Sequence, residues 1–171
     1  MGSPVYRIQA GKGVFDQLKP QLEAQGAPPE QVSLWGQHIS LVDAPVHLSV
    51  LSGEGKESLL AYCSFAEEPA QFGKSLRPIG QLDSAPGPFI ASEAMEPQVT
   101  LLDGLSELLR MYRFLHIPKL PKTFTQDILS PYFARKQQPR KQELSAGGFY
   151  KVTLYQDSLP GKWNKWLGKG S

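Results

Sequence analysis

Proline and glycine interrupt this chain so often that they set the first limit on its fold. Fifteen prolines and sixteen glycines are distributed over the 171 residues. Proline lacks the amide hydrogen that helix interiors and central strands require, and glycine loses more backbone entropy on folding than any other residue. The chain is therefore expected to form short elements joined by many turns, and not a helical bundle.

The rest of the composition is that of a globular domain. Hydrophobic residues make up 40% of the chain and charged residues 20%, whereas disordered segments are poor in apolar residues and heavily charged. A chain of this length buries about 70% of the surface that it exposes when unfolded, which is enough for a substantial core. We therefore predict a single domain over residues 1–171, in which residues 156–171 form a C-terminal tail.

The strongest helical pattern lies between Pro97 and Leu115. Leucines recur there at the spacing that places them on one face of a helix. Pro97 suits the first turn, where the missing amide hydrogen would have had no acceptor within the helix. A second, shorter helix is predicted around residues 14–22, and Pro20 either kinks this helix or restarts it.

Strand-like runs cover residues 32–42, 46–50, 59–65 and 149–155. The first three are separated by short connections and predict an antiparallel meander. The sequence therefore predicts an α+β fold, in which an antiparallel sheet of about four strands has a long amphipathic helix packed on one face.

No catalytic or metal-binding motif is visible in the sequence. The segment from Gly53 to Ser58 lacks the first glycine of a phosphate-binding loop and has Glu57 directly after the lysine, so a hairpin turn is the better interpretation. The three histidines do not have metal-ligand spacing. Cys63 is the single cysteine and lies in an apolar run typical of a buried thiol. We therefore predict a protein that is not an enzyme, has no cofactor or metal, and takes no small-molecule substrate.

Positive and negative charges are concentrated in different parts of the chain. Residues 1–97 carry a net charge of −5, and residues 98–171 carry a net charge of +7. The cations include the stretch with Arg135, Lys136, Arg140 and Lys141. Such a separation is typical of a surface for nucleic acid, acidic lipid or acidic protein, but folding also intermixes charges that are segregated in sequence.

The C-terminal tail combines large apolar residues with cations. Trp163, Trp166 and Leu167 have the i, i+3, i+4 spacing of one helical face, and Lys162 and Lys165 are interleaved with them. An exposed tail of this kind suits a partner groove, an anionic membrane surface or unstacked bases. A tail that folds back instead places the tryptophans in the core of the domain.

Two functions of different classes follow from these patterns. The first is a non-enzymatic interaction module, a small subunit or accessory factor of a larger assembly, which binds another protein through the tryptophans of the tail. The alternative is a nucleic-acid-binding protein that uses the basic C-terminal third, with the four cations of residues 135–141 on phosphates. Attachment to an anionic membrane surface is a third and weaker hypothesis. Neither a signal peptide nor a membrane-spanning run is visible, so we expect a cytoplasmic protein.

Overall fold

The computed structural model describes residues 3–53, 58–70, 73–79, 88–145 and 147–156. These residues form eight strands, five α-helical segments and one π-helical turn. In chain order they are β1 (Val5–Ala10), α1 (Gly13–Ala24), α2 (Pro29–Ser40), β2 (Val46–Leu51), β3 (Leu59–Ala70), β4 (Gly73–Pro78), β5 (Phe89–Ile90), α3 (Met95–Leu108), β6 (Phe114–Pro121), α4 (Lys122–Phe124), the π-turn (Thr125–Leu129), α5 (Ser130–Arg135), β7 (Arg140–Leu144) and β8 (Phe149–Tyr155).

All eight strands belong to one mixed sheet. Its order is β1-β2-β3-β4-β6-β8-β7, and the short β5 pairs with β3 beside this path. Neighbouring strands are antiparallel except for β4 and β6, which are parallel and are connected through α3. The predicted α+β class is correct. The predicted antiparallel sheet of about four strands with one long helix is wrong, because two segments were given the wrong secondary structure and several strands were not recognised.

The first error concerns residues 32–42, which were expected to form a strand but belong to helix α2. Pro29 is the first residue of α2, the position at which proline is compatible with a helix. Val32 and Ile39 are buried and Trp35 is half-buried, so the apolar residues follow a helical and not an alternating period. The third strand beside β2 and β3 is instead β1, at the start of the chain.

The second error concerns the predicted helix that was expected to reach Leu115. Helix α3 ends at Leu108, and Leu115 lies in strand β6. The amide of Arg113 donates to the carbonyl of Lys74 at 3.0 Å, which ties the turn after α3 to strand β4. Pro118 is accommodated within β6 because the register with β8 shifts between Ile117 and Leu120. In the part of the chain that the structure describes, no helix has the length and apolar character to cross a membrane.

The two faces of the sheet bury two hydrophobic cores. Helix α3 and the segment from α4 to α5 pack on one face, where α3 contributes four buried leucines. Helices α1 and α2 pack on the other face, against Leu59 and Tyr62 among others. Successive residues of β3 alternate between the cores, with Ala61 and Cys63 in the first and Tyr62 in the second. The sheet is therefore covered by helices on both sides at β3.

Helix α3 packs closely against the sheet at Gly104. A Cβ atom added there would lie 2.4 Å from Cδ1 of Leu48 and 3.1 Å from its Cδ2. Leu48 is completely buried in β2, so its side chain has no free space to move into. Glycine at this position is thus required by the distance between helix and sheet, although it lowers helix propensity.

We expect Gly104→Ala to lower the free energy of unfolding by about 1–3 kcal/mol, because overpacking against Leu48 outweighs the gain in helix propensity. Urea denaturation followed by circular dichroism measures this change. Gly13→Ala is the matched control, since no atom lies within 4 Å of the added Cβ at the start of α1. Equal stability of the Gly104→Ala variant and the wild type would contradict the packing argument.

Candidate functional site: the cleft between β4 and β6

The sheet opens between its two parallel strands. β4 and β6 are paired only at Ser75 with Phe114 and at Leu76 with Leu115. Pro78 has no amide hydrogen to donate, and the amide of Ile79 donates to the carbonyl of Ser64 in β3 at 2.8 Å. The end of β4 therefore stays with β3, while β6 continues to Pro121 with β8 as its partner.

A cavity of about 200 Å³ lies at this opening. Pro78 and Ile79 line it from the β4 side, and Ile117 and Leu120 line it from the β6 side. Its other walls come from both cores and are mostly apolar: Ala27, Gln31, Val32, Trp35, Cys63, Ser64, Phe65, Pro88, Phe89, Ile90, Leu101, Leu105 and Phe124. The cavity thus lies beyond the last parallel pair, where the two hydrophobic cores meet.

Three of the lining side chains carry neutral N–H or O–H groups, namely Gln31, Trp35 and Ser64. The hydroxyl oxygen of Ser64 accepts a hydrogen bond from Nε1 of Trp35 at 2.9 Å. Gln31 is half-buried and supplies an amide. A mostly apolar cavity with a few fixed polar groups is typical of small-molecule sites.

Behind Ser64 lies a buried chain of hydrogen bonds. Nε2 of His47 is 2.7 Å from the carbonyl oxygen of Gly11, and Nδ1 is 2.7 Å from the hydroxyl of Tyr62. A carbonyl only accepts, so Nε2 carries the hydrogen and Nδ1 accepts from Tyr62. Tyr62 and Ser64 lie two residues apart on β3. The hydrogen bond from Trp35 holds the hydroxyl of Ser64 at the cavity wall.

Burial keeps the side chains of His47 and Tyr62, and the neighbouring thiol of Cys63, neutral. Desolvation lowers the pKa of His47, against the opposing effect of its hydrogen bond to Gly11. Desolvation also raises the pKa of Tyr62 and that of Cys63 above their ordinary values. The thiol of Cys63 is therefore protonated at neutral pH and does not act as a nucleophile in this state.

The structure also shows where the other titratable groups lie. His38 is exposed on α2 and His116 is half-buried on β6, so the three histidines are on separate elements. Among the described residues, no three His, Cys, Asp or Glu side chains form a group able to hold a metal ion.

The four cations proposed for nucleic acid lie around one turn. Arg135 ends α5 and Lys136 follows it, while Arg140 and Lys141 begin β7. Lys136 lies over the ring of Tyr132, with Nζ 4.8 Å from its centroid.

The two cations on β7 have neighbours of their own. Arg140 donates to Oε1 of Gln142 at 2.7 Å and to Oγ of Ser130 at 3.2 Å. Lys141 is 3.5 Å from Glu143. Through its contact with Ser130, Arg140 connects α5 to β7.

The other predicted site residues, Trp163, Trp166, Leu167, Lys162 and Lys165, lie outside the described residues, as does most of the predicted tail. The protein-binding hypothesis that rests on them stays a prediction. The cleft itself was not predicted from the sequence. The only local signal for it is proline at 78 and 118, within segments that are strands.

Comparison with known proteins adds little to this description of the site. No protein-family model matches the sequence. No curated protein matches it either. One solved structure, described as "The crystal structure of KacTA-DNA complex", has 11% sequence identity and a TM-score of 0.40, over 97% of this chain and 99% of that chain. So distant a likeness carries no inference about function.

The buried histidine predicts how stability depends on pH. The pKa of His47 is lowered in the folded state, so the unfolded chain binds more protons between the ordinary pKa of 6.5 and the folded value. The contribution of neutral His47 to the free energy of unfolding is therefore fully present above pH 6.5, and it is lost as the pH decreases below that value. Urea denaturation at pH 7.5, 6.5 and 5.5 measures this loss.

His47→Gln should be less stable than the wild type at pH 7.5 and should lose less stability between pH 7.5 and 5.5. His38→Gln is the control, because His38 is exposed on α2 and lies outside the network. A wild-type stability that is constant over this range would contradict the assignment of a neutral, buried His47.

Proposed function

We propose that this protein binds a small, largely apolar ligand, or the apolar end of a longer one, in the cleft between β4 and β6. The observation that carries the proposal is the cavity beyond the last pair of the parallel ladder. Ligands of open sheets bind outside the carboxyl ends of parallel strands, where neighbouring connections diverge. Pro78 and Ile79 lie at the carboxyl end of β4, and the helix that connects β4 to β6 contributes to the same cavity.

The size and lining of the cavity define the class of ligand. A dry apolar cavity of about 150 Å³ is sufficient for benzene. A cavity of about 200 Å³ therefore accepts an aromatic ring or a short aliphatic chain. Ser64 and Gln31 add hydrogen-bonding groups without a charge, so a neutral amide or hydroxyl on the ligand is matched and a charged group is not.

The groups at the cavity favour binding over covalent catalysis. Cys63 is held as a neutral thiol by burial. The hydroxyl of Ser64 is hydrogen-bonded to Trp35, whose indole is not a base that would activate a nucleophile. We therefore extend the prediction of a non-enzymatic binding protein to this cleft, in place of the expectation that the chain takes no small molecule.

Titration with benzene and with hexanamide tests the cleft. We expect both probes to shift the methyl NMR signals of Ile79, Ile117 and Leu120, because these side chains line the cavity from both strands. Ile90→Trp should weaken binding at least about tenfold, since an indole at this partly exposed lining position fills space that the probe requires.

Leu144→Trp is the matched control, because it adds the same indole at an exposed position of β7, away from the cavity. Cooperative urea denaturation of both variants checks that they are folded. Absence of methyl shifts with either probe, or equal binding by the wild type and Ile90→Trp, would overturn the proposal.

A second candidate function, nucleic-acid binding, is favoured by one observation. Residues 114–156 contain seven Lys or Arg and two Asp or Glu, a net charge of +5. These residues form β6, β8, β7 and the helices between them, which together make one end of the sheet. Folding therefore keeps the cations together at this end, and such a surface attracts phosphates.

For this candidate, the informative variant combines Arg135→Gln, Lys136→Gln and Lys141→Gln. It keeps Arg140, whose contact with Ser130 supports the packing of α5 on β7. If the surface binds single-stranded or duplex nucleic acid, the log–log slope of affinity against salt should decrease by about one for each cation that contacts a phosphate.

Fluorescence anisotropy of labelled DNA and RNA at several salt concentrations measures this slope. A variant with Lys12→Gln, Lys19→Gln and Lys74→Gln removes the same charge from the first half of the chain and should leave the slope unchanged. Absence of binding at low salt, or equal effects of the two triple variants, would argue against this candidate.

A further inference from the structure

Among the described residues, strand β7 is the last strand of the sheet and has one edge without a partner strand. Within the described residues it pairs with β8 on one side only. The amide of Tyr155 donates to the carbonyl of Pro139 at 3.2 Å, and the amide of Ser145 donates to the carbonyl of Phe149 at 2.8 Å. Backbone groups alternate in direction along a strand, so those of Arg140, Gln142 and Leu144 point to the open edge.

The sequence of β7 is complementary to itself when two copies run antiparallel. With Gln142 opposite Gln142 of a second copy, Arg140 lies opposite Leu144, and Lys141 lies opposite Glu143. The residues with outward backbone groups then form the hydrogen-bonded pairs. Lys141 and Glu143 form the non-hydrogen-bonded pairs, in which side chains are closest.

The charges of Lys141 and Glu143 also favour this register over registers that are centred on either of these two residues. A shift that centres the pair on Lys141 places two lysines directly opposite each other. A shift that centres it on Glu143 places two glutamates opposite each other. Like charges in these positions destabilise a strand pair, whereas opposite charges stabilise it. The side chains of Lys141 and Glu143 are 44% and 56% exposed, so both are accessible to a second copy.

We propose that two copies of this chain associate by antiparallel pairing of their β7 strands about Gln142, which joins the two sheets into one. The main-chain groups of three outward-facing residues from each copy provide the hydrogen bonds, and two Lys141–Glu143 pairs between the copies set the register. The net positive charge at this end of each copy opposes association. The dimer is therefore expected at high protein concentration.

Sedimentation equilibrium of the full chain tests the proposal through charge exchange. Lys141→Glu and Glu143→Lys should each weaken self-association about tenfold, because each places like charges opposite each other in the dimer. An equimolar mixture of the two variants should associate about as strongly as the wild type, since every pair between them is again of opposite charge. The double variant with both exchanges should also dimerise.

These outcomes are decisive because both positions are exposed and each variant is checked for a wild-type urea midpoint. A wild type that is monomeric up to its solubility limit would overturn the proposal. So would single variants that associate like the wild type, or a mixture that stays monomeric.

A disulfide trap tests the register independently. Gln142→Cys places two cysteines opposite each other with Cα atoms about 5.5 Å apart, within the range that a disulfide spans. Leu144→Cys is the control, because the same register separates its two copies by about 14 Å. The native Cys63 is buried and does not compete. Faster cross-linking through residue 144 than through residue 142 would overturn the register.

Discussion

The architecture of this protein depends on the parallel ladder between β4 and β6, which ends after two pairs. Backbone groups alternate in direction along a strand, and the amide of Ile79 donates to Ser64 of β3, so the preceding position, Pro78, is the one that faces β6. Proline has no amide hydrogen to donate there. The cavity lies beyond this point, where residues of both cores line the opening.

Several elements were predictable because their signals are local. The helix around residues 14–22, the strands at 46–50 and 59–65, and the last strand at 149–155 are all present. In each of these segments the apolar residues follow one period, either 3.6 or 2. The central hairpin of the sheet was therefore recognisable without any information on tertiary contacts.

The errors arose where one pattern is compatible with two structures. Residues 32–42 are rich in branched and aromatic side chains, but Pro28 and Pro29 are a helix-start signal that decides for α2. The helix predicted from Pro97 to Leu115 extended too far, because Leu115 belongs to β6, a strand that accommodates Pro118 at an irregularity of its register. Apart from the prolines at 78 and 118, the cavity has no local signal, because its walls come from residues between 27 and 124 that only the completed fold brings together.

The interrupted ladder also has a mechanical consequence. Along the main path of the sheet, two residue pairs join β4 to β6, whereas any other two neighbouring strands share at least five residue pairs. Separation of β4 from β6 thus breaks fewer backbone hydrogen bonds than separation of any other two neighbouring strands on this path. This weakest connection in the sheet lies beside the cavity that is proposed to hold a ligand.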